Sequence, residues 1–302
     1  MNTPCFNIAA VERETGLSKD VLRMWERRYG FPVPERDGHG ERSYSIAQVE
    51  RLRLVKRLMD QGHRPGKLLA MPEEELLALA PRRPSSEGSA AFPDTSDLEE
   101  ALALIKRHDS QGFLQAMQQR LARDGLMHFV QDTVAPLTRR VGDAWEDGDF
   151  AVFEEHLYTE LTKRVLRQAL AALPPGRRTP RVLLTSLPDE PHMLGLLMVE
   201  ALLSLEGAEC IPLGTEMPLL DLVRACEAHR ADVVALSFSS VFPLRQIGEA
   251  LRQLRQALPA GVVIWAGGAG MLRAQPLEGV QTLTDLAMLP SALNDWRLAH
   301  SA

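Results

Sequence analysis

The chain has 302 residues, 45% of them hydrophobic and 25% charged, with a formal net charge of −6. That length points to two or three domains. No uninterrupted apolar stretch reaches about 18 residues, and no basic-then-apolar leader opens the chain, which argues against a membrane span or secretory signal and for a cytoplasmic protein. Cys5, Cys210 and Cys226 are few, odd in number and not at metal-ligand spacings, so neither a disulfide framework nor a zinc site is expected.

Charge is unevenly spread. Between Ile8 and Leu68 there are 13 Lys/Arg against 9 Asp/Glu, so the rest of the chain is strongly acidic. The N-terminal segment is therefore the place for a polyanion. Residues 81–96, rich in Pro, Ser and Gly, read as a flexible linker, and Pro174-Pro175-Gly176 marks a second boundary. Three blocks result, 1–80, 97–173 and 178–302, with no internal repeat.

In the first block Asn7 is a good N-cap for an apolar helix pattern through Val11, and Gly16 stops it. Ser18 caps a second helix, Lys19 to Tyr29, with Leu22, Trp25 and Tyr29 directed inward and Lys19, Arg23 and Arg27 sharing another face. Two short helices joined by a tight turn, the second basic outside, make a helix-turn-helix. After Pro32 and Pro34, the polar excursion Arg36-Asp37-Gly38-His39-Gly40-Glu41-Arg42 ends at Ser43-Tyr44 and reads as a wing. A further helix, Ala47 to Gln61, turns Leu52, Val55 and Leu58 inward and Arg51, Arg53, Lys56 and Arg57 outward. The plain alternative is a small helical domain with a solvated basic face.

The run Leu22-Arg23-Met24-Trp25-Glu26-Arg27-Arg28-Tyr29-Gly30-Phe31-Pro32, followed by Arg42-Ser43-Tyr44-Ser45, resembles the MerR family of transcription regulators. The resemblance implies double-stranded promoter DNA as partner. The expected contacts are Lys19, Arg23 and Arg27 on the helix, with Arg36, Arg42 and Tyr44 in the wing.

The second block holds four amphipathic segments, about 97–107, 110–123, 126–147 and 151–172. In the third, Leu126, Val130, Val134, Leu137, Val141 and Trp145 form one apolar stripe at spacings of three and four. Four such helices make a bundle. Periodicity alone makes Trp145 core filler at a helix end.

The third block alternates strands, at about 181–187, 209–213, 233–238, 262–266 and 281–286, with apolar helices near 194–205, 218–228 and 243–257 and a closing helix after Pro290. That rhythm predicts a parallel, doubly wound sheet of flavodoxin (Rossmann) type. The fold class expected overall is multidomain α and α/β.

At the predicted carboxyl edge of that sheet, where such sheets bind ligands, stands Glu190-Pro191-His192-Met193-Leu194-Gly195. Forty-one residues separate Gly195 from Ser237 in Ser237-Phe238-Ser239, and 27 more lie between Ser239 and Gly267-Gly268. The set resembles the cobalamin-binding signature D-x-H-x-x-G…S-x-L…G-G, with Glu190 for the usual Asp and Ser239 for the usual Leu. It implies that His192 supplies an imidazole nitrogen to cobalt in place of the cofactor's own benzimidazole. A metal-bound histidine needs its other ring nitrogen held by an acceptor, the role for Glu190. Gly195, Gly267 and Gly268 would keep a channel open for the displaced nucleotide tail, and Ser237 could hydrogen-bond it. Turn glycines and an ordinary strand-end serine are the plain alternatives.

Trp145, nine intervening residues, then Glu155-His156 matches the W-x9-E-H pattern of the light-sensing, cobalamin-dependent branch of the MerR family, the CarH/LitR group. All three blocks occur in that group's order. The resemblance makes Trp145, Glu155 and His156 contacts of the cofactor's upper face, where an indole can shield a cobalt–carbon bond and a carboxylate and imidazole can hydrogen-bond an adenosyl ligand. It implies a repressor, not an enzyme, whose adenosylcobalamin-loaded dark form assembles from head-to-tail dimers into a DNA-bound tetramer that light takes apart. Methylcobalamin is the other alkyl form to consider. One position departs: the tetrameric photoreceptors carry histidine after the bundle tryptophan, and here that residue is Glu146. Two other readings stay open, a methylcobalamin-carrying corrinoid protein of a methyltransferase system and a MerR-like regulator that senses through a partner protein without cobalamin. The DNA-binding block and the lack of a barrel for substrate weigh against the first.

Overall fold

Asn7 both closes a strand and opens a helix. Strand β1 (Cys5–Asn7) runs into α1 (Ile8–Thr15), and the Asn7 carboxamide accepts from the Ala10 N–H at 2.8 Å. Gly16, at φ 68°, ends α1 in the left-handed conformation that costs a residue with a Cβ the most. Ser18 then caps α2 (Lys19–Tyr29). The computed structural model describes residues 5–36, 38, 40–60, 63–79, 95–174 and 178–300.

The wing is an antiparallel hairpin. Strands β2 (Glu35–Arg36) and β3 (Arg42–Ser45) join β1 in a sheet of order β1-β3-β2. Asp37 and His39 of the predicted excursion lie outside the described residues. Helix α3 (Ile46–Asp60) buries Leu52, Val55 and Leu58 against Val11, Leu22 and Trp25, the inward set that periodicity picks out. Tyr29 is only partly buried at the edge of this core. Two short helices, α4 (Pro65–Leu68) and α5 (Glu73–Leu79), add Leu68 and Leu76 to it. At four and seven residues they are too short to show a period in sequence.

The predicted linker falls mostly outside the described residues. Its last two positions, Thr95 and Ser96, instead form the first turn of α6 (Thr95–Lys106). Short polar side chains suit a first helical turn as well as a linker. The bundle continues with α7 (Ser110–His128), α8 (Ala135–Glu146) and α9 (Val152–Ala171). Gly125, at φ 74°, ψ 162°, breaks the path between the second and third predicted helices, as expected, but the third is not one regular run: Phe129–Val134 is a π turn that feeds α8. The apolar stripe survives this, with Val130, Val134, Leu137 and Val141 buried.

The sheet domain follows the predicted rhythm: β4 (Arg178–Thr185), α10 (Leu194–Leu205), β5 (Ala208–Gly214), α11 (Leu219–His229), β6 (Val233–Ser237), α12 (Leu244–Ala257), β7 (Val263–Gly267), β8 (Val280–Leu283) and α13 (Leu289–Ala299). All neighbouring strands are parallel, in the order β5-β4-β6-β7-β8, the flavodoxin-like arrangement. Alternation along each strand sorts side chains between two cores. Leu183, Val234, Leu236 and Ile264 pack with α11 and α12. Val182, Leu184, Ala235 and Trp265 face α10 and α13, in an apolar core that continues through Leu197 into Phe113, Val130 and Leu166 of the bundle. Bundle and sheet are thereby one packed unit, with α9 lying on α10.

Candidate functional site

The loop between β4 and α10 is folded around a buried acid. The Glu190 N–H donates to the Leu187 carbonyl at 3.1 Å and the Ser186 hydroxyl donates to the Glu190 carbonyl, while Asp189 takes a left-handed φ of 68°. This turns the Glu190 carboxylate inward, to 1% exposure. Its Oε1 accepts from His192 Nδ1 at 2.5 Å and lies 3.3 Å from the His192 backbone nitrogen. Its Oε2 accepts from the Ser239 N–H at 2.7 Å, in the loop after β6. Burial pushes the Glu190 pKa up, but the bonds from His192 and Ser239 outweigh it and leave the pKa below the ordinary value.

An ionised carboxylate only accepts, so Nδ1 carries a proton, and in the neutral imidazole it is Nε2 that presents the lone pair. The Glu190 hydrogen bond in turn holds the His192 pKa above its ordinary value, against the opposing effect of burial; Glu155 of α9 is among the charges acting in the same direction. The His192 side chain remains 54% exposed, so Nε2 has room for a ligand. Among the described residues no group of three or more His, Cys, Asp and Glu gathers to hold a bare ion. One oriented imidazole without companions fits a metal that brings its own equatorial nitrogens, as a corrin does.

The remaining motif residues pack around this pair. Gly195, the second residue of α10, faces Ser237 so closely that a Cβ there would stand 2.7 Å from the Ser237 hydroxyl. At Gly267 a Cβ would meet the Leu283 carbonyl oxygen at 2.8 Å, and at Gly268, with φ +95°, it would meet the Phe238 carbonyl oxygen at 2.4 Å. Gly267 and Gly268 therefore let the loops after β6 and β7 close on their neighbours. At Ser239 the site uses a backbone N–H, which any residue but proline supplies, and the serine side chain acts in the same direction on the Glu190 pKa.

On the bundle side, Trp145 is half-buried in the last turn of α8, against the shared core. Glu155 is half-buried and accepts from the Thr159 hydroxyl at 2.8 Å. His156 is 72% exposed, its Nε2 3.6 Å from Glu155. Glu146 closes α8 beside Trp145. Pattern reading missed Glu154, a buried carboxylate next to this pair that receives Lys106 from α6; its one sequence signal was the acidic doublet at a helix start.

In the N-terminal unit the expected DNA contacts divide. Arg23 and Arg27 are exposed on α2, and Lys19 is partly exposed on the same face. Their ties are weak, Lys19 to Glu12 at 3.5 Å and Arg23 to Asp20 at 3.3 Å. In the wing Arg36 donates to the Gly40 carbonyl at 2.7 Å. Arg42 pairs with Glu26 at 2.8 Å, and this bond, against some loss from burial, raises the guanidinium pKa further. Arg42 thus fastens the wing strand to α2. Tyr44 corrects the expectation outright. Strand alternation sends its side chain into the core at 0% exposure, beside Leu22 and Trp25, so the ring is a packing residue and not part of the exposed surface.

Residues 6–68 match the family model for MerR HTH family regulatory proteins, and residues 97–170 and 180–280 each match a model for a B12 binding domain. The HTH-type transcriptional repressor CarH of Myxococcus xanthus is 35% identical over 266 residues, 87% of this chain and 88% of that one. The chain belongs to the MerR family. It is a cobalamin-binding transcription regulator of that family. The repressor CarA of the same organism is 31% identical over 87% of this chain and 86% of its own. Among solved structures, a monomethylamine corrinoid protein of Methanosarcina barkeri superposes with a TM-score of 0.52 at 16% identity, covering 66% of this chain and 98% of that one. That likeness is one of fold. Among the described residues no helix is long and apolar enough to cross a membrane.

Proposed function

We propose that this member of the family is a light-responsive repressor that works in the cytoplasm as a homo-oligomer, dimer or tetramer, on promoter DNA. Its preferred cofactor is adenosylcobalamin. The blocks divide the work: residues 1–80 bind DNA, 97–173 cover the cofactor's upper face and 178–302 hold its lower face. The observation that carries the reading is the buried Glu190 carboxylate bonded at once to His192 Nδ1 and the Ser239 N–H.

Cobalamin, when bound, supplies a cobalt–carbon bond that visible light breaks. The chain's own residues do the rest. His192 would hold the metal through Nε2, with Glu190 fixing its tautomer and ring orientation. Ser237 offers a hydroxyl to the nucleotide tail near Gly195, Gly267 and Gly268. Trp145, Glu155 and His156 shield and hydrogen-bond the upper ligand. Lys19, Arg23, Arg27, Arg36 and Arg42 meet the DNA. An assembly whose two states bind the alkylated cofactor differently would convert loss of its upper ligand into release of DNA.

The test is reconstitution of the full chain with adenosylcobalamin or methylcobalamin in the dark. The expected result is a red protein that keeps its colour through gel filtration, elutes as an oligomer, and changes both elution and DNA affinity after green light. Colourless protein would refute cofactor uptake; red protein indifferent to light would refute the photoreceptor role alone.

A further inference from the structure

Among the described residues Glu154 is the one buried charged side chain of the bundle, and it sits immediately before Glu155-His156. Its Oε2 accepts from the Ala151 N–H at 2.7 Å, the back-bond of a helix N-terminus. That alone would make it a cap. The same oxygen also accepts from Lys106 Nζ at 2.9 Å, and Oε1 lies 3.6 Å from His108 Nε2, both groups arriving from the carboxyl end of α6. Lys106 donates again to the Asp149 carbonyl and lies 4.6 Å above the ring of Phe150, while the His108 ring stands 5.3 Å from that of Phe153. A cap needs no cation from a helix 48 positions away.

These contacts converge on the connection between α8 and α9. The Trp145 end of that connection is tied down separately: Gly148 donates to the Trp145 carbonyl at 3.1 Å, and Asp149 and Phe150 donate to the Ala144 carbonyl at 2.8 and 3.0 Å. Lys106 and Glu154 fix the other end. Bonds from Ala151 and Lys106 hold the Glu154 carboxyl below its ordinary pKa although burial pushes the other way, so it is ionised at neutral pH.

We propose that Glu154, locked to Lys106, is a positioning residue that sets where Glu155 and His156 stand relative to Trp145 and thereby determines which upper ligand the chain accepts. The inference rests on the assignment of those three residues to the cofactor's upper face. Loosening the clamp would let Glu155 and His156 drift from a large upper ligand and so lose their contacts with it, while the Glu190–His192 hydrogen bond stays in place.

The experiment titrates full-length wild type, Glu154→Gln, Lys106→Met and Lys106→Arg with adenosylcobalamin and with hydroxocobalamin, recording affinity and the spectrum of histidine ligation. Glu154→Gln and Lys106→Met should lose about tenfold in affinity for the adenosyl form. They should lose less than about twofold for the hydroxo form, with the ligation spectrum unchanged. Lys106→Arg, which keeps the cation, should restore the adenosyl affinity. Lys106 is 40% exposed, so its methionine variant carries the test if Glu154→Gln does not fold. Equal loss of both ligands, or loss of neither, overturns the proposal while wild type still binds. Wild type that takes up neither ligand overturns the functional reading, and this inference with it.

Discussion

Glu190 meets the Nδ1 edge of His192 at 2.5 Å from a position of near-complete burial, although its side chain is one methylene longer than the aspartate of the signature. The loop turns this carboxylate inward, and its second oxygen accepts from the Ser239 N–H at 2.7 Å. His192→Ala should abolish or severely weaken cobalamin uptake with the fold intact, because the half-exposed ring contributes little packing. Glu190→Gln should weaken uptake about 10- to 100-fold, the usual cost of removing a metal ligand's hydrogen-bond partner. Equilibrium titration followed by absorbance checks both, and an unchanged lower-ligand spectrum in His192→Ala would remove histidine from the metal.

On the DNA side, Arg23→Ala should lower operator affinity and reduce the slope of log affinity against log salt by about 1, as one phosphate contact predicts. Arg42→Ala should do more, since it also releases the wing strand from Glu26. Neither should alter cofactor uptake. Tyr44→Phe is the contrasting variant: its hydroxyl is buried without a partner among the described residues, so operator binding and stability should be nearly unchanged. Fluorescence anisotropy at several salt concentrations reads all three, and a Tyr44→Phe defect in binding would return that hydroxyl to the interface.

Gly268→Ala should destabilise the sheet domain by roughly 1–3 kcal/mol, combining a strained φ with a collision against the Phe238 carbonyl. Gly142→Ala, inside α8 with nothing within 4 Å of the added methyl, should be stabilising by about 0.5–1 kcal/mol. Urea unfolding of the two variants provides the comparison. Similar effects would mean that the glycine pair does not close the loops.

Glu146 offers a hard oxygen ligand where the tetrameric photoreceptors are expected to carry histidine, a poorer match to cobalt(III) than imidazole. After green light the wild type should show one histidine nitrogen at cobalt, that of His192, and Glu146→His should acquire a second. Absorption and paramagnetic spectra before and after illumination decide it. Two histidine nitrogens in the wild type would show that His156 or another imidazole moves in.

The depressed Glu154 pKa has a definite sign in stability. A carboxyl whose folded pKa lies below its ordinary 4.5 contributes fully above that value, and the contribution fades as pH falls through the folded value. Between pH 6 and 3 the wild type should therefore lose more stability than Glu154→Gln, measured by denaturant unfolding at each pH. Parallel curves would mean that the ion pair is thermodynamically silent.

The sequence by itself determined the helix-turn-helix with its wing, the strand–helix rhythm of the sheet domain and the spacing of the cobalamin motif. Those properties are local: apolar spacing reveals an element wherever it is long enough, and Asn7, Gly16 and Ser18 mark the ends where a chain needs a cap or a positive φ. What only the tertiary structure decided was which atoms of those residues matter. Nothing in the order of residues says that Ser239 contributes its backbone N–H, that Gly268 clears the Phe238 carbonyl, or that β3 turns Tyr44 inward. Lys106 and Glu154 make the same point, since their meeting depends on how α6 packs against the start of α9. Contacts between distant segments arise from close packing, which admits few arrangements but leaves no periodic trace along the chain.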